Sequence, residues 1–144
     1  MTEVRHATGD DLAAVLELYD DYDRAPEPRP ADGDALRILS ALRAQGALLV
    51  AEHDGCIVGS FSLYLCASLA HGGRPFAVVE NVIVSAPARR TGVGRTMMRH
   101  AQEMARAAGC YKLMLCTGRA ENVGFYEACG FRNDKFGLQM RFAA

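Results

Sequence analysis

A chain of 144 residues, half of them hydrophobic and 23% charged, can build one domain with its own core and is short for two, so a single domain over 1–144 is expected. Sixteen basic side chains against 17 acidic ones leave a net charge of −1, and with no global field, neither nucleic acid nor a membrane surface is expected as a partner. The N-terminal "MTEVRHATGDD" lacks the apolar centre of a secretory signal. No apolar run reaches the roughly 18 residues that span a bilayer, so a cytoplasmic location is expected. The five cysteines (Cys56, Cys66, Cys110, Cys116 and Cys129) are odd in number and lack a CxxC pair. They read as buried free thiols, and no metal site is expected.

In chain order, "TEVRHA" reads as a first strand, and Thr8, followed by Asp10 and Asp11, caps a helix through "DDLAAVLELYDDYD" with Leu12, Val15, Leu16 and Tyr19 on one face. "RAPEPRPADGD" holds three of the five prolines and reads as a loop at a binding mouth. Asp34 opens a second helix with Leu36, Leu39 and Leu42 on its apolar face, ending near Gly46. "ALLVAEHDGCIVGSFSLYL" is a pair of antiparallel strands joined at Asp54-Gly55. After the glycine loop "CASLAHGGRP" come strand "FAVVENVIV", a helix over 92–108, strand "YKLMLC", a helix over about 122–129 and strand "GLQMRF". A strand, a packed helix and a further strand form a crossover, so strands 76–84 and 112–116 should run parallel. The fold class is α/β of the α+β type, a mixed, mostly antiparallel central sheet flanked by helices.

The chemistry concentrates in "ENVIVSAPARRTGVGRTMMRHAQEMARAAG", Glu80 to Gly109. Val93, Met97, Ala101, Met104, Ala105 and Ala108 share one helical stripe and read as core. At its start, a helix exposes unsatisfied backbone N–H groups and the positive end of its dipole. Gly92 and Gly94 remove side chains that would keep an anion away, and Arg89, Arg90 and Arg95 add positive charge. A pyrophosphate cradled by amides suits that constellation, although a tight strand-to-helix turn alone would also call for the glycines. No GxxxxGK run exists, and Gly94 is followed by Arg95, Thr96 and Met97, so neither a Walker loop nor a GxGxxG fingerprint is present.

"RRTGVG" matches the RxxGxG signature of the GNAT superfamily of N-acetyltransferases, between a valine-rich strand and a long helix, and "NVGFYEACGF" resembles that superfamily's C-terminal helix. The resemblance implies a single-domain GNAT-like fold with acetyl-CoA (coenzyme A) as acetyl donor and no metal. It implies that the amides around Arg90, Thr91, Gly92, Val93, Gly94, Arg95 and Thr96 take the pyrophosphate, with Arg89 beside them. It further implies that Val82, Ile83 and Val84 pair with the pantetheine arm where a bulge splays the sheet. Asn122 would then contact that arm, and Tyr126 would sit beside the thioester sulfur.

Acyl transfer to an amine needs the amine neutral and the departing thiolate stabilised. Glu80, flanked by "FAVV" and "VIV", is the candidate base, expected to be partly desolvated with a raised pKa; pairing with Arg74 is the structural alternative. Tyr126 is the candidate acid or hydrogen-bond donor. On a regular strand, Asn81 would project to the face opposite Glu80, a parity that a bulge would upset. His71, in the glycine loop, is the one histidine near the proposed mouth.

"GCYKLMLCTGRAENVGFYEACGF" and "VVENVIV" also resemble the glucosamine 6-phosphate N-acetyltransferase branch. That branch would make the acceptor an amino sugar phosphate and place Arg141, on a strand exchanged between subunits of a homodimer, against its phosphate. Asn81 stands where that branch has an aspartate. The general expectation is a small-molecule primary amine as acceptor. A non-catalytic acyl-CoA-binding sensor or interaction module is the alternative from another class.

Overall fold

The computed structural model describes residues 1–21 and 27–143. Five strands form one sheet in the order β1 (Thr2–His6), β2 (Gly46–His53), β3 (Cys56–Cys66), β4 (Phe76–Val84), β5 (Leu113–Met114). The first three pairings are antiparallel and β4–β5 is parallel, as the crossover predicts. Asp54 and Gly55 both take positive φ (50° and 79°) and close the β2–β3 hairpin where His53 faces Cys56, the tight turn anticipated from the Asp-Gly pair.

Alternation along β2 divides the core between the two faces of the sheet. Leu48 and Val50 join Ala7, Val15 and Leu39 beneath α1 (Leu12–Tyr19) and α2 (Asp32–Gln45). Leu49 and Ala51 join Phe61, Leu63, Val79 and the methionines Met97 and Met98 of α3 (Val93–Ala107) on the other face. Phe61, Leu49, Met97 and Met98 lose all contact with solvent, each contributing roughly 1.5–3 kcal/mol by burial. Close approach explains Gly46, because a Cβ there would stand 1.8 Å from the carbonyl oxygen of Leu63. The start of α1 is held electrostatically. Arg5 donates to both carboxylate oxygens of Asp11 (2.8 and 3.0 Å) and the Thr8 N–H donates to the same carboxylate at 2.7 Å, which lowers the Asp11 pKa to about 2, chiefly through Arg5.

Several sequence expectations are corrected. The second helix starts at Asp32, two residues before Asp34, and its Leu36 is 53% exposed while Ala35 takes the buried position. On α3, Met98 is buried and Ala108 is exposed. All five cysteines are free, but none is fully buried, and Cys56 and Cys116 are exposed. "YKLMLC" contributes only Leu113 and Met114 to the sheet. "GLQMRF" forms no strand: no ladder among the described residues pairs it, and β5, the strand before it in chain order, is only two residues long. The alternating side chains Phe136, Leu138, Met140 and Phe142 are 78–100% exposed. The proline loop expected at the mouth falls partly on residues 22–26, outside the described residues.

Candidate functional site

Two features meet at β4. The first is built from backbone. β5 pairs with β4 only at Ala77 and Val78, so from Val79 to Val84 that flank of β4 faces no strand among the described residues. Val82, Ile83 and Val84 lie on this open edge. Near it the ladder to β3 slips: Ser60 faces Ile83 and Ser62 faces Glu80, leaving Asn81 and Val82 opposite Phe61 alone. Asn81 absorbs the extra residue with φ 54°, and the bulge stands where the resemblance puts it.

Beyond β4, the chain turns through Arg90 (φ 63°) and Gly92 (φ 93°) into α3. Gly92 caps the helix with no side chain hydrogen-bonded to it, and the first intrahelical bond runs from the Thr96 N–H to the Gly92 carbonyl at 3.0 Å. The N–H groups of Val93, Gly94 and Arg95 are therefore the donors that a helix start leaves without intrahelical partners. A Cβ on Gly92 would meet nothing within 4 Å, so the space beside Gly92 itself is open. A pyrophosphate suits several backbone donors at one dipole end; the Arg95 side chain, by contrast, lines a small pocket with Arg99, Gln102, Ala128 and Cys129.

The surrounding side chains divide between scaffolding and exposure. Arg89 donates from Nε to the Val84 carbonyl at 3.1 Å and so ties the turn to the end of β4. The Thr91 hydroxyl donates to the Ala88 carbonyl and the Thr96 hydroxyl to that of Gly92. Gly94 has a packing reason that the spacing did not reveal, since a Cβ there would stand 2.9 Å from the Phe125 ring. This contact seats α4 (Val123–Ala128) against the start of α3, with Asn122 exposed at the N-terminal end of α4. Tyr126 follows, half-buried between Phe125 and Phe131 (ring centroids 5.0 and 5.9 Å away), and burial, with Cys129 adding, pushes its phenol above the ordinary value.

The second feature is built from side chains. Between α1, α2 and the sheet lies a cavity of about 310 Å³. Leu12, Leu16, Ile38 and Leu42 supply its helical walls, and Ser62, Tyr64 and Asn81 its sheet side. Glu80, the cross-strand neighbour of Ser62, shares that face. The bulge thus brings Asn81 to the same face as Glu80, reversing the parity of a regular strand. Glu80 is exposed, not desolvated as expected, and among the described residues no ion pair joins it to Arg74. Arg74 instead donates from Nε to the His71 carbonyl at 3.0 Å. Burial and the neighbouring Tyr64 push the Tyr19 phenol, in the cavity wall, up to about 12.

The structure leaves two predicted residues outside this meeting point. His71 stacks on Tyr111 (centroids 3.9 Å apart), beyond the start of β4. Arg141 is exposed on the C-terminal segment. Sequence reasoning missed Tyr19, Ser62, Tyr64 and Phe125 as site-forming residues; Tyr19 was recognised only as helical core. Among the described residues, no three metal-ligating side chains cluster, and no helix is long and apolar enough to cross a membrane.

An open strand edge thus stands beside a helix start whose first N–H groups have no intrahelical partner, and comparisons with known proteins give the family. The model of the acetyltransferase (GNAT) family matches residues 12–131, and the chain belongs to that family. It is 31% identical over 134 residues to a glucosamine 6-phosphate N-acetyltransferase of Trypanosoma brucei brucei, covering 90% of this chain and 88% of the relative. An IAA acetyltransferase of Azospirillum brasilense is also 31% identical, over 125 residues, covering 82% and 76%. The crystal structure of a Trypanosoma brucei acetyltransferase superposes with a TM-score of 0.89 at 30% identity, covering 99% of this chain and all of that one. The chain is an N-acetyltransferase with the GNAT fold, in a family that uses acetyl-CoA.

Proposed function

We propose that this domain, acting in the cytoplasm over 1–144, acetylates the primary amine of a small molecule by direct attack, with the cofactor on the backbone-built side of β4 and the acceptor on the cavity side. The observation that carries this reading is the open β4 edge leading to the unpartnered N–H groups at Val93–Arg95. Acetyl-CoA supplies an acetyl group activated as a thioester. The amides from Arg90 to Thr96 hold its pyrophosphate, Arg90 and Arg95 screen the charge, and Arg89 fixes the turn through the Val84 carbonyl. The backbone of Val82, Ile83 and Val84 aligns the pantetheine arm, which Asn122 contacts from the start of α4.

Glu80 takes the proton from the acceptor ammonium, directly or through water, and so frees the lone pair that forms the N–C bond. With acetyl-CoA bound, Tyr126 would stand beside the thioester sulfur. Its raised pKa makes it a weaker acid than an ordinary phenol, so it would serve that sulfur as a hydrogen-bond donor that stays protonated across neutral pH, leaving the proton of the released thiol to come from solvent.

The names of relatives and the run Cys110-Tyr111-Lys112 support a second reading, with an amino sugar phosphate as acceptor. In that reading the exposed, alternating side chains from Phe136 to Phe142 pair with a second copy in a homodimer, and Arg141 reaches the acceptor phosphate. His71, beside Tyr111, would line the same region. Thiol release from acetyl-CoA over a panel of amines tests the catalytic reading. Release above the buffer rate with at least one amine is expected. Cofactor binding without release for any amine would identify a non-catalytic acyl-CoA-binding module.

A further inference from the structure

Resting on that acetyltransferase reading, we infer the class of acceptor from the cavity between α1 and α2: a primary amine carried on an uncharged apolar body of aliphatic or aryl type. The walls contributed by Leu12, Val15, Leu16, Ile38 and Leu42 offer no hydrogen-bond donor from their side chains. A polyhydroxylated ring placed among them would lose its water without replacement, at a cost for each unpaired hydroxyl. Polar groups lie mainly on the sheet side, where Ser62, Tyr64 and Asn81 stand beside Glu80, and on a rim formed by Asp20, Glu27 and Arg29, with the phenol of Tyr19 the one hydroxyl that the helices add among the lining residues. An amine therefore finds its polar partners at the sheet and its carbon skeleton finds the helices.

The charges select in the same direction. The lining carries one cation against two anions, and the cation, Arg29, already forms an ion pair with Asp20. A phosphate dianion would meet a net negative rim and an arginine that must first give up its partner, whereas an ammonium is attracted. Size limits the body. Taking about 30 Å³ as the share of one water, 310 Å³ holds on the order of ten non-hydrogen atoms, the size of hexylamine or 2-phenylethylamine.

The test uses calorimetry on the full chain without cofactor, with propylamine, butylamine, pentylamine, hexylamine, 2-phenylethylamine and glucosamine 6-phosphate as probes. Affinity should rise about three- to fourfold per methylene along the linear series, with hexylamine at least tenfold tighter than glucosamine 6-phosphate. Ile38→Asn, at a wall position 54% exposed and so tolerant of change, should weaken hexylamine several-fold with its melting temperature near that of the parent. A flat series, or tighter binding of glucosamine 6-phosphate, overturns the inference, and the series needs no variant. Thiol release is measured separately. Tight apolar amine binding without release keeps the cavity assignment and removes the acetyltransfer reading, whereas release with glucosamine 6-phosphate and a flat amine series does the reverse.

Discussion

The two sides of β4 are built from different materials. Toward α3 the site consists of main-chain groups: a strand edge from Val79 to Val84, a left-handed Gly92 and the first N–H groups of a helix. Toward α1 and α2 it consists of side chains from four separate elements, with Leu16, Ile38, Ser62 and Asn81 brought within one cavity. A backbone-built site demands little of sequence except glycine at the right spacing and a helix after it, so it can serve one constant ligand. A side-chain-built site can be rewritten residue by residue, which suits the part of an enzyme that chooses among acceptors. Relatives with different names, a glucosamine 6-phosphate N-acetyltransferase and an IAA acetyltransferase, each match most of this chain at 31% identity.

The comparison breaks most readily at Gly92. Gly92→Asp places a carboxylate where the pyrophosphate is proposed to bind and forces a side chain onto φ 93°, so the acetyl-CoA-induced rise in Tm should vanish and affinity should fall by more than about 10²-fold. Gly92→Asn carries similar backbone strain without the charge and should retain part of the rise. Equal stabilisation of the parent and Gly92→Asp by acetyl-CoA would show that the pyrophosphate lies elsewhere.

Next in size are the two groups given chemical roles, one on each side. Glu80→Gln and Tyr126→Phe should each lower kcat by on the order of 10²-fold while leaving the KM for acetyl-CoA within a few-fold. Because burial raises the Tyr126 pKa, no limb of the pH–rate profile between pH 6 and 9 should belong to it, and that limb-free range should be the same in Tyr126→Phe. Parent-like rates in both variants would remove these assignments.

A smaller effect isolates the scaffold of the cavity side. Asp11 anchors the start of α1 to Arg5, and Asp11→Asn should cost about 1–3 kcal/mol in denaturant unfolding. The Asp11 carboxyl is depressed to about 2 in the folded chain, so its contribution is complete above the unfolded value near 4 and is lost as pH falls through 2. The stability difference between parent and variant should shrink across that window, and a difference independent of pH there would assign the loss to packing.

The smallest effect is expected at Arg141. Arg141→Ala should change the KM for glucosamine 6-phosphate less than about tenfold and leave acetyl-CoA binding unaltered, and light scattering at micromolar concentration should show a dimer. A monomer would remove the exchanged-strand reading without affecting the cofactor side.

Much of the fold was legible in the sequence because it depends on short-range rules. Asp54-Gly55 marks its own hairpin through left-handed backbone, and the 3.6-residue stripe from Val93 to Ala105 marks α3 whatever it packs against. Arg89 to Gly94 carries enough local character to mark the turn into α3 and its exposed first N–H groups, because the donors belong to the backbone of consecutive residues. The missed features all depend on distant partners. The strand pattern of "GLQMRF" is sound as a pattern, yet a strand needs a neighbouring ladder, and β5 ends after two residues. Gly94 reads as a phosphate glycine until Phe125, 31 positions on, is seen against it.

The sequence by itself determined the order of elements from β1 to α4, the crossover and the glycine-marked start of α3, since each follows from periodicity and from the conformations that particular residues permit. Tertiary structure alone decided where Asn81 points, because one extra residue in β4 reverses the parity of every side chain beyond it. It also decided that Tyr19, Ile38, Ser62 and Tyr64 line one cavity. Those residues share no spacing in the chain; their common environment exists only once both helices have packed on the sheet and excluded water between them.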